Sequence, residues 1–346
     1  MPVDDSVVPA AACRFVARPV VDLMTELKTL TPTAPGIGMS PEQARSLIFG
    51  GQPWVLSVQG NGTNLGNAFA TLQRGRLRCG LFVTLVSEIQ GGDAFWNGVL
   101  DFVSRQDVTE LRVKSVARPN PAAAIPRLGR ETARFSNVKL YMLNLEKPDA
   151  SSKFSSNHRR NIAKARKAGV HLIDLDPPEA LRVHFDLTGL SLERRAKRGE
   201  STKLRASQDS VIGLLASGAG RLFQAALDGE VLSSKLVYVV GEYAYYHDGG
   251  TSPKGMSLGA SHFLMSEIMA ILKKEGIRSM NMGVAAETSG GLWRFKEGFD
   301  PDRWIVERTG FDFSSRYKII KNGLRSLWPS GSRQSARAAG TASALK

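Results

Sequence analysis

Residues 243–284 read YAYYHDGGTSPKGMSLGASHFLMSEIMAILKKEGIRSMNMGV. The aromatic run at 243–248 predicts a strand, and a Gly/Ser/Pro loop follows at 249–257. Leu264, Ile268, Ile271 and Leu272 then recur at helical spacing and mark one apolar face. Residues 278–284 return to a strand. A strand, a helix and a second strand in so short a span predict a crossover, with 243–248 and 278–284 as parallel neighbours that splay at their ends.

Reading outward, two more strands precede the crossover, at 222–227 and 231–240. Asp228-Gly229 and Gly241-Glu242 separate the three strands by two residues each, the signature of antiparallel hairpins. Upstream, Phe154-Ser155-Ser156-Asn157 offers caps to a helix HRRNIAKARKA that Gly169 ends. VHLIDL (170–175) reads as a strand. Pro177-Pro178-Glu179 opens a helix that runs, with a break, to about Lys197, and a second helix covers roughly 206–217. Downstream lie a helix from Gly291 and a strand WIVER (304–308). The order is β-α-α-β-β-β-α-β-α-β.

The first half repeats this order without obvious sequence repetition. A strand at 14–19 is followed by helices at VDLMTELKTL and SPEQARSLIFG. Strands at 54–58, 67–73 and 79–87 follow, then a helix at 93–106 with Phe95, Val99, Phe102 and Val103 on one face. A strand at 109–116 closes the half, and VKLYMLNLEKP (138–148) leads into the second. The expected fold is α/β (α+β), two tandem units whose mixed, mostly antiparallel sheets are flanked by helices. The units are placed at 1–137 and 138–314, followed by a basic amphipathic segment at 315–329 and a small, polar tail at 330–346.

A chain of 346 residues suits two domains. With 42% hydrophobic and 23% charged residues, it is neither a coiled coil nor globally disordered. Lys and Arg exceed Asp and Glu by 46 to 32, which points to an anionic partner. The excess is concentrated: 151–173 holds Lys153, Arg159, Arg160, Lys164, Arg166 and Lys167 with no acid, and 315–346 holds seven basic residues with none. The N-terminus carries Asp4 and Asp5 where a signal peptide is basic. The long uncharged stretch 46–73 is broken by Pro53 and glycines, so it reads as strands and turns. With only Cys13 and Cys79, these features predict a cytoplasmic protein.

Gly255-Met256-Ser257-Leu258-Gly259-Ala260-Ser261 is the main ligand candidate, since a helix N-terminus after glycines can receive a phosphate. A Gly-rich turn capping a helix is the structural alternative. The G-x-S-x-G within it is not a hydrolase elbow, because the only later histidine is His262, inside the next helix. A P-loop fails because Met256 stands where its lysine belongs. The five histidines show no metal spacing, so no metal is expected. His247-Asp248 ends a strand beside the expected cleft and offers a base. Lys296, in RFKEGF, either lays its stem over the core or aims a cation at a developing oxyanion. Arg160 and Lys164 share a helix face and suit a phosphate-bearing substrate or an RNA backbone.

The β-α-α-β-β-β-α-β order, SSNHRRNIAKARKAGV, YYHDGGTSPKGMSLGASHFLMSEIMAILKKEGIRSMNMG and GGLWRFKEGFD together resemble tandem GNAT acyltransferases of the Fem and acetyltransferase-like type. The resemblance covers about 138–310 by sequence and the first unit by topology alone. It implies transfer of an acyl group to an amine, from acyl-CoA or, in Fem-type members, from aminoacyl-tRNA in peptidoglycan synthesis. It implies Lys296 as a catalytic residue, beside the base candidates His247 and Asp248, and a donor cradle of Gly255, Ser257, Gly259, Ala260 and Ser261. Met256 and Ser261 depart from the family's Gln/Arg-x-x-Gly-x-Gly/Ala loop. Arg160, Lys164 and Tyr246 are assigned to the substrate. The expected partners are an acyl donor, an amine acceptor and, through 315–328, an anionic membrane surface in a cell-envelope or polysaccharide system. Direct attack of the amine is expected, with no covalent intermediate. A non-catalytic scaffold with the same fold is the remaining alternative.

Overall fold

The computed structural model describes residues 13–22, 25, 26, 51–85, 89–117, 125–147, 150–199, 208–285 and 290–314. The strands of the first half are β1 (Cys13–Pro19), β2 (Gln52–Gly60), β3 (Thr63–Arg74), β4 (Cys79–Leu85), β5 (Glu110–Ala117) and β6 (Arg130–Asn144). Those of the second are β7 (His171–Ile173), β8 (Gly220–Leu227), β9 (Glu230–Val240), β10 (Tyr243–Thr251), β11 (Ser279–Val284) and β12 (Asp302–Asp312). The helices are α1 (Gly92–Arg105), α2 (Ser156–Lys167), α3 (Pro177–Lys197), α4 (Gln208–Ala216), α5 (Pro253–Leu258), α6 (Ala260–Lys274) and α7 (Gly291–Glu297).

All twelve strands join one sheet, in the order β1-β2-β3-β4-β5-β12-β6-β11-β10-β9-β8-β7. β4 pairs with β5 and β10 with β11 in parallel, and the remaining neighbours are antiparallel. The order is a repeat: β1–β5 with α1 correspond to β7–β11 with α6. The last strand of each half has exchanged places. β6 follows β5 in the chain but pairs with β11, while β12 follows β11 but pairs with β5. β6 and β12 are themselves antiparallel partners from Asp302↔Met142 to Asp312↔Arg130. The two expected sheets are therefore fused, and the boundary expected at 137/138 falls inside β6.

Local chemistry accounts for the turns and helix starts. Asp228 and Gly229 both adopt left-handed φ, 51° and 78°, as a two-residue hairpin of matching twist requires. The Ser155 hydroxyl accepts from the His158 N–H and caps α2. Phe95, Val99, Phe102 and Val103 of α1 are buried against Leu56, Ala70, Leu81 and Leu111. Leu264, Ile268 and Leu272 of α6 bury against Leu232, Val237, Ala244 and Met280, joined by Ile162 and Ala165 of α2. On the opposite face Val211 and Leu214 of α4 cover Leu236, Tyr238 and Tyr245, and Val20, Val55 and Phe69 of the first half share that cluster.

Several expectations need correction. The loop read at 249–257 is absent as such: β10 extends to Thr251 and Pro253–Leu258 is a short helix, capped by the Ser252 hydroxyl. The strand at 170–175 is only His171–Ile173, and α3 runs unbroken. The last strand is longer than WIVER, because pairing on both sides recruits its polar ends. The two helices read between 20 and 50 lie almost wholly outside the described residues, as do the basic segment and the tail. No helix among the described residues is long and apolar enough to cross a membrane.

Candidate active site

The two parallel pairs differ in one respect. β4 and β5 stay in register over six pairs, Gly80↔Glu110 to Leu85↔Ser115. β10 and β11 pair only at Tyr243↔Ser279, Ala244↔Met280 and Tyr245↔Asn281, and then part as expected. Beyond Tyr245 a bulge lies between Tyr246 and Asp248 in β10, and another between Asn281 and Val284 in β11. Gly283 takes φ 73°, and its N–H donates to Asn281 Oδ1 at 2.6 Å. The opening therefore belongs to the second half.

Lys296 reaches this opening from α7. It is 2% exposed, and its Nζ donates to the Val284 carbonyl at 3.0 Å. A Cβ added at Gly283 would lie 3.6 Å from both Lys296 Nζ and the Tyr245 hydroxyl. Lys296 thus lies across the separated end of β11. α7 is held by His158 of α2, whose Nε2–H donates to the Phe295 carbonyl at 2.9 Å while Nδ1 meets the Ser155 hydroxyl at 3.0 Å. Burial pushes the His158 pKa down, so this imidazole is a neutral strut.

On the α3 face, Asp248 sits between two histidines. His184 Nε2 is 3.1 Å from Asp248 Oδ1, and His247 Nδ1 is 3.2 Å from Asp248 Oδ2. Burial alone would push the Asp248 carboxyl up; the hydrogen bonds from His184 and His247 outweigh it and hold the group below the ordinary carboxylate range. His184 Nδ1 continues to the Ser234 hydroxyl at 3.0 Å, which Gln224 also reaches at 3.3 Å.

Lys235 of β9 occupies the other face. It is 2% exposed, its Nζ lies 3.0 Å from Ser261 Oγ, and the rings of Tyr246 and Phe295 flank it at 5.1 Å each. Burial pushes its pKa down to about 7, against a smaller upward pull from Asp248.

The expected donor cradle divides. The Gly255 N–H donates to Ser252 Oγ at 3.0 Å, inside the turn. The Ser257 carbonyl accepts from Lys164 Nζ at 2.7 Å, so Lys164 ties α2 to α5 instead of projecting toward a substrate. Gly259 takes φ 79°, and a Cβ there would stand 2.5 Å from the Asn161 carbonyl oxygen. Gly259 and Ala260 are buried beneath α2. Ser261 meets a buried charged side chain, Lys235, through its hydroxyl. Arg160 is exposed on α2.

Residues 152–297 match the sequence model of a family described as an acetyltransferase (GNAT) domain. The match spans 146 of the 346 residues. Comparison with curated proteins gave no match. Among solved structures, the chain is similar to FemX, with a TM-score of 0.66 at 13% identity over 90% of this chain and 99% of that one. It is also similar to a conserved protein of unknown function from Bacteroides thetaiotaomicron VPI-5482, with a TM-score of 0.58 at 10% identity over 86% and 100%. A tandem GNAT protein from the clavulanic acid biosynthesis pathway gives 0.50 at 14% identity over 86% and 98%. At these identities the likeness is one of fold, and it covers both halves.

Within the matched residues, sequence reading missed Lys235, Ser234 and His184. Lys235 carried a signal: it is the one charge in the apolar strand VLSSKLVYVV, so it either faces solvent or is buried at a cost that invites a role. His184 carried none, since a histidine in a long amphipathic helix has no distinguishing pattern.

Proposed function

We propose that the protein transfers an acyl group from a thioester or ester donor to an amine, with the second half carrying the chemistry. The observation that carries this reading is Lys296, buried and fixed at the point where β10 and β11 part. A carbonyl placed in that opening meets an ammonium where its oxygen gains charge during attack. Asp248, held as an anion by two histidines, attracts the incoming ammonium on the α3 face, and His247 beside it can take up a proton.

The match to an acetyltransferase domain model supports an acyl-CoA donor. A second reading, an aminoacyl-tRNA donor and a lipid-linked acceptor as in Fem-type members, is favoured by one observation. Gly259 and Ala260 lie under α2, so a pyrophosphate has little access to the backbone where an acyl-CoA would be cradled. The exposed Arg160 remains available to a phosphate in either reading. A cytoplasmic setting, an envelope pathway and contact of 315–328 with an anionic membrane belong to the same proposal.

The test is direct. The full-length protein is offered acetyl-CoA or aminoacyl-tRNA with a panel of amines, and melting temperature and product are followed. Stabilisation and turnover by acetyl-CoA support the first donor. A response to charged tRNA alone supports the second. Absence of transfer from both would leave only a scaffold.

A further inference from the structure

Lys235 and Ser261 form a pair that direct attack does not require. Lys235 stands in mid-sheet, opposite Gly249 on β10 and Phe223 on β8. Gly249 leaves room for it: a Cβ there would lie 3.1 Å from Lys235 Cγ and 3.1 Å from the Tyr246 hydroxyl. The chain thus places a lysine where no water surrounds it, and aims its amine at a hydroxyl. Ser261 is only partly buried, and it is the second residue of the fifteen-residue helix α6. The positive end of that helix favours negative charge at the Ser261 oxygen.

We propose that Ser261 and Lys235 are a nucleophile–base dyad that carries the acyl group as an ester on Ser261 before it reaches the amine. The inference rests on the acyl-transfer reading above and replaces its direct attack with two steps. In the first, the Ser261 proton passes to Lys235 Nζ as Oγ bonds to the acyl carbon. The bond from that carbon to the donor's sulfur or oxygen breaks, and the leaving group takes the proton from Lys235. In the second, the acceptor amine attacks the ester, its proton passes to Lys235, and Ser261 leaves and recovers that proton.

The titratable groups that act electrostatically with Lys235 are Asp248 of β10 and His262 of α6. His262 is pushed down to about 4, first by burial and then by its neighbours His158 and Lys235, which leaves it a weaker base than the lysine. Lys235, pushed to about 7, is the group of this cluster suited to accept a proton near neutral pH.

The test needs no physiological substrate. The full-length protein is treated with p-nitrophenyl acetate and mapped by peptide mass spectrometry before and after hydroxylamine, which releases esters and spares amides. The expected result is a hydroxylamine-labile acetyl group on Ser261. Its rate of formation should fall about 10²-fold or more in Lys235→Met. Ser261→Ala should lose the label and keep its melting temperature. No label on Ser261 in the unsubstituted protein, a stable amide on Lys235 in its place, or an unchanged rate in Lys235→Met would each overturn the dyad. Transfer to amines without acyl-Ser261 would remove the dyad and keep the proposed function. Acyl-Ser261 that no amine accepts would do the reverse.

Discussion

Lys296 and Lys235 are both 2% exposed, yet their surroundings ask different things of them. Lys296 is anchored by donating to the Val284 backbone carbonyl at 3.0 Å. Lys296→Met keeps the stem and removes the amine. Transfer should slow by about 10²-fold or more with donor affinity little changed, as steady-state kinetics and donor titration would report. Lys235 rests against a hydroxyl and two rings, and burial favours its neutral form. Its folded pKa lies below the ordinary lysine value, so between about 7 and ~10.4 the unfolded chain binds the extra proton. Stability contributed by this site therefore rises with pH across that window. Lys235→Met should raise the melting temperature at pH 7 by at least roughly 2–4 °C, the scale for ~1 kcal/mol in a chain of this size. The gain should shrink toward pH 10. A melting temperature that drops at pH 7 and does not converge with the unsubstituted protein at high pH would contradict the buried, neutral lysine.

At the scale of elements, α2, α5 and α6 meet at a single point. Gly259 joins α5 to α6 with left-handed φ and lets the Asn161 carbonyl come within 2.5 Å of where a Cβ would be. Lys164 closes the same junction through the Ser257 carbonyl. Gly259→Val meets both the φ penalty and the backbone of α2, so it should cost about 2 kcal/mol or more. Thermal denaturation would show it before any donor is added. A variant with unchanged melting that binds donor poorly would instead return Gly259 to the role expected from sequence, a phosphate approach. Lys164→Met tests the same junction more gently: it removes one exposed contact and should leave melting nearly unchanged.

Across the whole molecule, exchange of β6 and β12 makes each half complete the other's sheet. Separating the halves would leave β5 without β12 and expose its backbone groups along an edge. The protein should therefore unfold as one unit. Variants retaining a single tryptophan, Trp96 in the first half or Trp293 in the second, should give coincident urea transitions by fluorescence. Two separated midpoints would show that the halves fold independently. Expressed alone, residues 1–124 should be poorly soluble for the same reason.

The sequence by itself determined the elements and the repeat. Turn chemistry such as Asp228-Gly229 and the helical spacing of Leu264, Ile268 and Leu272 act over a few residues, so they can be read locally. The second half was also legible as a GNAT-like unit. Tertiary structure alone decided the rest. Strand exchange depends on which edges meet, and the residues of β6 and β12 do not by themselves name the partner strand. The split between β10 and β11 follows from bulges whose residues look ordinary in sequence. Lys235 and Ser261 are 26 positions apart on a strand and a helix, and Asp248 meets His184 across 64 positions. A side chain's proton affinity is set by what the fold places around it, and no local pattern records that.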